Sequence, residues 1–503
     1  MPNTLAGHWL KPPAGDDFTR LRERLAEAGY TVKGILDRMG SIEMPTRRAR
    51  NRPRLLHLAS GDTPLDILIR LFMLGVPVTA QEASRAFGTA PIEPWIRAGL
   101  VEARGDGLWA PVRMTPHEHL MLVYDAPDAI ERGASADIVL GMTGSSLLLL
   151  CSTIRRKVRR AVDMGTGCGV QAFLAAAHSD QVWALDCNPR AVNYTGFNAR
   201  LNGIENVECL QGDGFEPVRG QTFDLIVTNP PFMISPRCRY QYRDSGLAGD
   251  EFCRRIVRQA PSLLNEGGFC HLTLEWIHYK GRDYKERMAE WFEGSGCDAW
   301  IIRTETENPV TYADHWIRDT EQDDADLWES LFREYLDYYE REGIEAISAG
   351  YIAMRRATGH ANWLRFDDAP PLKPEPFGDM LALGFELRDF LDAHRNDEDM
   401  MREKFRVSPD LRLDQVCVPD AGRWRVGAAQ FHLLRGLEFK GNIDAHVAGL
   451  VARCDGTREL GELIRDAAQS LGADPAKVAA AFLTVIRQLI ERGFILPAAW
   501  KDS

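Results

Sequence analysis

No stretch of the chain approaches the roughly 20 consecutive apolar residues that a membrane-spanning helix needs. The best candidate, 142–150, is far too short. The amino terminus, MPNTLAGHWLKPPAGDDF, lacks a basic start followed by an apolar run, so no secretory signal is expected. Ten cysteines are present, but none forms a CxxC pair. Those from Cys151 to Cys297 fall mostly inside predicted strands and helices and read as small buried hydrophobes in a reducing cytoplasm. Low-complexity tracts and short-period repeats are missing. A composition of 45% hydrophobic and 26% charged residues over 503 positions excludes a largely disordered, collagen-like or mucin-like chain. An excess of basic charge is missing too. The formal charge is −12, so any nucleic-acid contact has to use a local basic patch against the global field.

What is present divides into three regions, 1–134, 135–357 and 358–503. In the first, 18–39 reads as helical and is followed by Arg47, Arg48, Arg50, Arg52 and Arg54. An apolar helical stretch at 63–74, a Thr-capped helix opening at 78–82, a helix at 92–98 and two short strands around Gly105-Asp106-Gly107 complete it. Helix, helix, helix, hairpin is the order of a winged helix, which serves nucleic-acid binding and protein docking alike. The second region alternates predicted strands (160–164, 181–186, 207–211, 224–228, 268–275, 299–304, 346–354) with helices. That alternation predicts an α/β domain with a parallel sheet covered on both faces. The third region opens with Pro-rich and acidic connectors, DDAPPLKPEPFGD, followed by helical segments. Its end, 447–497, reads as helix, a turn at 455–458, helix, helix and GFILP, a second winged-helix-like order.

The sharpest segment is Asp163-Met164-Gly165-Thr166-Gly167-Cys168-Gly169, placed between a strand and a helix. Its glycines allow a tight turn and close approach of a ligand to the backbone. Glycines at such turns often serve packing alone, but two later carboxylates sharpen the reading. Asp186 ends the next strand, where it can accept both hydroxyls of a ribose, and Asp213 follows the third strand. Either aspartate could instead be a helix cap. The third glycine comes one residue early for a pyrophosphate loop, and an aspartate before the first suits a cation better than a phosphate.

The segment resembles the class I S-adenosylmethionine methyltransferases. That resemblance covers about 135–357 and implies a Rossmann-like, seven-stranded sheet. It implies S-adenosyl-L-methionine as cofactor, with Asp163, Gly165, Thr166, Gly167 and Gly169 beside its methionine moiety. Asp186 would lie at the ribose and Asp213 near the adenine, with Asn188 also among the cofactor-binding residues. Thr143 and Ser145, just before the first strand, would close over the methionine end, or simply cap a helix.

After the fourth strand comes Asn229-Pro230-Pro231-Phe232. An amide or exocyclic amine nitrogen is a poor nucleophile because its lone pair is delocalised. The Asn229 side-chain oxygen and the Pro230 carbonyl can hold its two hydrogens and orient it. Pro231 stiffens the loop, and Phe232 offers a flat face to a base or planar amide. A rigid Pro-Pro loop is the alternative. The tetrapeptide is similar to that of the small-domain methyltransferases that modify a glutamine of release factors or guanine N2 of ribosomal RNA. Phe232 resembles the RNA branch, whereas 247–268 resembles the release-factor branch. The resemblance therefore implies an N-methyltransferase with an RNA or a translation-associated protein as substrate.

Weaker signals have two readings each. Tyr242–Gly246 would lid the pocket or form a surface turn, and Trp276, His278 and Tyr279 would line the substrate mouth or pack. His117 and His119 could share a strand face, but no third ligand accompanies them, and no metal is expected. The basic run 154–160 is an exposed helix end or, with the arginines at 47–54, a nucleic-acid track; 319–326 reads as a solvated acidic face. Two further functions compete. Asp455-Gly456-Thr457-Arg458-Glu459-Leu460 resembles a peptide-binding winged-helix module, which would make the substrate a peptide or small metabolite. A catalytically inactive, cofactor-binding interaction protein is the other.

Overall fold

The computed structural model describes residues 8–13, 17–42, 44, 51–88, 91–126, 136–320, 325–369 and 375–500. Arg47, Arg48 and Arg50 lie outside them; Arg52 and Arg54 are exposed on the helix Arg52–Leu58. The chain forms two compact units. One comprises Met1–Leu150 with Lys157–Asp368, the other Cys151–Arg156 with Ala369–Ser503. No helix among the described residues is long and apolar enough to cross a membrane.

The first unit opens with two helices where the sequence predicts one. Gly29, at φ +71°, ends Asp17–Glu27, and the Thr31 hydroxyl caps Val32–Met39 by accepting from the Gly34 N–H. Then come Pro64–Leu68 with its continuation Ile69–Met73, the short strand Val78–Thr79, helices Ala80–Phe87 and Glu93–Ala98, and strands Glu102–Arg104 and Gly107–Trp109. Thr79 and Glu82 form a reciprocal capping box, as the sequence predicts. The strand Gly107–Trp109 lies between the other two. His117 ends a strand and His119 sits in the following turn, past Glu118 at φ +49°, so the two histidines do not share a strand face.

The central sheet is built from β1 (Val158–Met164), β2 (Ser179–Asp186), β3 (Val207–Gln211), β4 (Phe223–Thr228), β5 (Leu264–Tyr279), β6 (Cys297–Glu307), β7 (Ile344–Arg356) and β8 (Leu364–Asp368). Its order is β8-β6-β7-β5-β4-β1-β2-β3. The expectations of seven strands and of an all-parallel sheet both need correction. β7 runs antiparallel to β5 and β6, and β8 adds an eighth, parallel edge strand beyond position 358. The segment LRFDD is charged, as solvent-facing edges are, and so does not stand out as a strand. It is tied to β6 by Trp300 Nε1–H donating to Asp367 at 2.9 Å and by the Arg303–Asp368 ion pair.

The labelled helices are α1 (Gly144–Ser152), α2 (Val170–Ala176), α3 (Pro189–Asn202), α4 (Glu251–Gln259), α5 (Pro309–Thr320) and α6 (Ala325–Arg341). On one face of β5, Cys270, Leu272, Leu274 and Trp276 join the main core with residues of α4. The opposite face carries His271, Thr273, Glu275 and Ile277, and Ile277 packs with residues of α5 and α6.

α3 binds other segments through asparagine. The Asn193 amide pairs with both the N–H and C=O of Leu10, Asn198 with those of Val123, and Asn202 with those of Met121, all at 2.7–3.0 Å. Beside them Arg190 and Tyr194 both reach the buried Asp125 carboxylate at 2.7 Å.

The second unit contains helix Gly378–Ala393, strand Lys404–Val407, the hairpin Leu411–Asp420/Arg423–Leu433, helix Ala445–Val451, strand Asp455–Glu459, helices Leu460–Leu471 and Pro475–Glu491, and strand Ile495–Pro497. Lys404–Val407 lies between the strands Asp455–Glu459 and Ile495–Pro497. The segment expected as a turn at 455–458 is therefore a strand, started by Asp455 accepting from the Thr457 N–H. None of the ten cysteines forms a disulfide; of those from Cys151 to Cys297, Cys187 and Cys238 are exposed, so the expectation of burial fails for these two.

Candidate active site

β1 delivers Asp163 to the carboxyl edge of the sheet, where it is 1% exposed. Its Oδ2 accepts from the Ala172 N–H at 3.1 Å, across the loop that joins β1 to α2. Burial pushes this carboxyl up to about 7; Thr166 and the Ala172 N–H pull it down, and the charge of Asp186 pushes it further up.

The three glycines have separate jobs, although all take φ between +56° and +92°. A Cβ on Gly169 would lie 2.3 Å from the Phe173 ring, so this glycine serves helix packing. A Cβ on Gly167 would meet nothing within 4 Å, and one on Gly165 only the Asn229 carbonyl at 3.8 Å. These two leave open space over a left-handed backbone, which suits a cradle.

Asp186 ends β2. It accepts from the Gly167 N–H at 3.0 Å and the Asn188 N–H at 2.9 Å, one on each oxygen. Burial raises its pKa against the lowering by these backbone donors. An ionised carboxylate has about four lone-pair sites, which leaves acceptors for a pair of hydroxyls. Asn188 has another task. Its oxygen caps α3 through the Arg190 N–H and its NH₂ donates to the Asp137 carbonyl, both within 3 Å. Asp213 is exposed and lines a cleft of about 210 Å³ together with Phe215 and Phe252. The donor set suits S-adenosylmethionine: carboxylates for a cation and a diol, and bare glycine backbone for close approach.

At the end of β4, the Thr228 hydroxyl donates to the Met164 carbonyl at 2.8 Å and locks the two strand ends together. Asn229 follows. Its Nδ2 donates to Ser146 Oγ at 3.2 Å, and its Oδ1 accepts from the Thr273 hydroxyl at 2.6 Å. Pro230 is buried; Pro231 and Phe232 are half-buried, with Phe232 against the main core. Thr143 caps α1 by accepting from the Ser146 N–H, and its hydroxyl lies 2.9 Å from those of Ser145 and Ser146. The Ser146 carbonyl accepts from Gln171 of α2 at 2.7 Å, so α1, α2 and the Asn229 loop are knitted together.

The loop beyond Phe232 is held by tyrosines of α5 and α6. Tyr312 donates to Glu275 and accepts from the Ile234 N–H at 3.0 Å, while Tyr339 donates to the Ile234 carbonyl at 2.9 Å. Tyr335 meets Ser235 at 3.1 Å. Burial pushes Glu275 up to about 8; the Tyr312 bond opposes this and Glu307 and Glu305 reinforce it. Within the segment at 242–246, Arg243 and Asp244 are buried, and Asp244 accepts from the N–H groups of Arg239 and Tyr240. Trp276 is fully buried in the main core, which removes it from the substrate mouth: strand alternation turns it away from Thr273 and Glu275. His278 is half-buried, with Nε2 2.7 Å from the Ser348 hydroxyl, and Tyr279 is half-buried against the second core.

Ser146, Thr273, Glu275 and Tyr312 escape the sequence reading. The alternation of His271, Thr273 and Glu275 in an otherwise apolar strand is the signal that marks two of them.

The uL3 glutamine methyltransferase of Bradyrhizobium diazoefficiens is 36% identical over 124 residues, 22% of this chain and 39% of that protein. The release factor glutamine methyltransferase of Aquifex aeolicus is 34% identical over 145 residues, 27% of this chain and 51% of that protein. The ribosomal RNA small subunit methyltransferase C of Alcanivorax borkumensis is 32% identical over 132 residues, 26% of this chain and 37% of that protein. The chain thus spans about half or less of the length of the relatives it matches. Residues 27–111 and 383–497 match two families described as domains of unknown function. Residues 142–297 match the family described as methyltransferase small domain, the segment that carries the glycine loop, Asp186 and the Asn229 motif.

Proposed function

We propose that the protein is an N-methyltransferase acting on a planar amide or exocyclic amine nitrogen of an RNA or a translation-associated protein. The observation that carries this reading is Asn229, held at both ends of its amide beside the glycine loop. Asp163, Gly165 and Gly167 would hold the methionine end of S-adenosylmethionine, Asp186 its ribose diol and Asp213 its adenine side. Thr143 and Ser145 would flank the methionine end. Asn188 would act by setting the start of α3, and Gly169 by packing. The bound cofactor supplies an electrophilic methyl group.

The remaining work falls to the chain. The free lone pair of Asn229 Oδ1 and the Pro230 carbonyl accept the two N–H bonds of the target and direct its nitrogen at the cofactor cleft. Phe232 presents a ring face, and burial of Pro230 keeps the loop from relaxing. The proton released as the new N–C bond forms leaves to solvent. The regions 1–134 and 358–503 are read as winged-helix-like modules that select the substrate. Their helix–strand–helix–helix order in the described residues supports this.

Transfer of labelled methyl into an extract of cells lacking the gene tests the reading. Label released by ribonuclease assigns RNA, label released by protease assigns protein, and absence of transfer refutes it.

A further inference from the structure

The Asn229 amide has to present its oxygen, not its NH₂, to a nitrogen that brings only hydrogens. Nothing in Asn229 itself settles which end faces the target, because the two ends have nearly the same shape. Its neighbours settle it. The contact to Thr273 is 2.6 Å, a normal length for O–H···O but short for N–H···O. The contact to Ser146 is 3.2 Å, within the N–H···O range. Ser146 is in turn fixed by the Thr143 hydroxyl and by the start of α1. Thr273 is 1% exposed on a central strand of the sheet, so its hydroxyl sits on rigid backbone.

We propose that Thr273 is a positioning residue for methyl transfer: by donating to Asn229 Oδ1, it fixes the amide so that the remaining lone pair of that oxygen meets the target nitrogen. The inference rests on the methyltransferase reading above. One hydroxyl on β5 then sets the orientation of a group on the β4 loop that touches substrate, while Thr273 touches none itself.

The test uses the full chain, tritiated S-adenosylmethionine and an extract of cells lacking the gene as acceptor. A dilution series of extract separates the maximal rate from the half-saturating amount. Thr273→Val keeps the shape and removes the hydroxyl; Thr273→Ser keeps the hydroxyl. The expected result is a maximal rate about tenfold lower for Thr273→Val, with cofactor affinity and half-saturating extract within about twofold of wild type. Thr273→Ser should run near the wild-type rate. In an Asn229→Ala background, Thr273→Val should cost nothing more, because both changes remove one function.

Thr273→Val at the wild-type rate, Thr273→Ser as slow as valine, or an undiminished loss in the Asn229→Ala background each overturns the inference alone. Should Thr273→Val lose cofactor binding, Thr273→Ala replaces it in the comparison: a fast serine with a slow alanine supports the role, and equal rates overturn it. Wild-type protein that moves no label, or Asn229→Ala at the wild-type rate, overturns the methyltransferase reading and this inference with it.

Discussion

The Tyr312 hydroxyl donates to the Glu275 carboxyl while accepting from the backbone of Ile234, so a buried acid on β5 braces the loop that follows the Asn229 motif. Glu275 titrates at about 8 rather than 4.5 because it is buried. The folded protein therefore keeps a proton on this group that the unfolded chain sheds above pH 4.5. Stability falls as pH rises from 4.5 to about 8, by up to about 1.4 kcal/mol per pH unit from this group, and levels off beyond. Glu275→Gln should melt close to wild type near pH 5 and progressively higher than wild type towards pH 8. Melting temperatures of both proteins across that range check this; parallel curves would remove Glu275 as the source.

Asp186→Ala should weaken cofactor binding by roughly 1–3 kcal/mol, the cost of losing charged hydrogen bonds. The loss has two parts, since Asp186 also holds the N–H groups of Gly167 and Asn188 in place. Asp186→Asn retains one oxygen acceptor and should bind with intermediate affinity. Titration calorimetry with S-adenosylmethionine measures both, and unchanged affinity in the alanine variant would take Asp186 out of the site.

Asn229→Ala should leave cofactor affinity nearly intact and lower turnover about 10²-fold or more, because the lost group acts on the transition state rather than on the cofactor. Single-turnover transfer with pre-bound cofactor separates the two effects.

The arginines at 47, 48, 50, 52 and 54 test the substrate class. If RNA is bound, each phosphate contact removed should reduce the salt slope of binding by about one unit. Alanine at all five positions would then weaken binding at low salt far more than at high salt. Fluorescence anisotropy with a structured RNA over a salt series reads the slope. A flat slope in the wild-type protein favours a protein substrate.

What the sequence disclosed was mostly local. Gly165, Gly167 and Asp186 announce themselves because their spacing is set within one strand–loop–helix unit, and Thr79 with Glu82 because a capping box spans only four residues. What stayed hidden depends on distant partners. Thr273 is 44 residues from the asparagine it holds, and Tyr312 lies 78 residues from Ile234. Their importance exists only once β5 lies beside β4 and α5 covers the sheet. β8 escaped because an edge strand with Arg365, Asp367 and Asp368 has the composition of a loop. Asn188 and Gly169 carry ligand-like motifs yet spend their side chain, or its absence, on capping and packing.

The paired bonds from Asn193, Asn198 and Asn202 bear on how the chain reaches this state. Leu10 waits for a partner 183 residues downstream, and Met121 and Val123 for partners 81 and 75 residues away. During synthesis these backbone groups leave the ribosome long before α3 exists. The amino-terminal segments can form their own helices and hairpins early, but they cannot dock until β1 and β2 have been made. Long-range closure of this kind is slow relative to local folding. α3 is thus the latch that joins the first third of the molecule to the methyltransferase sheet. Substituting its three asparagines should delay or abolish that joining while leaving the local elements on either side intact.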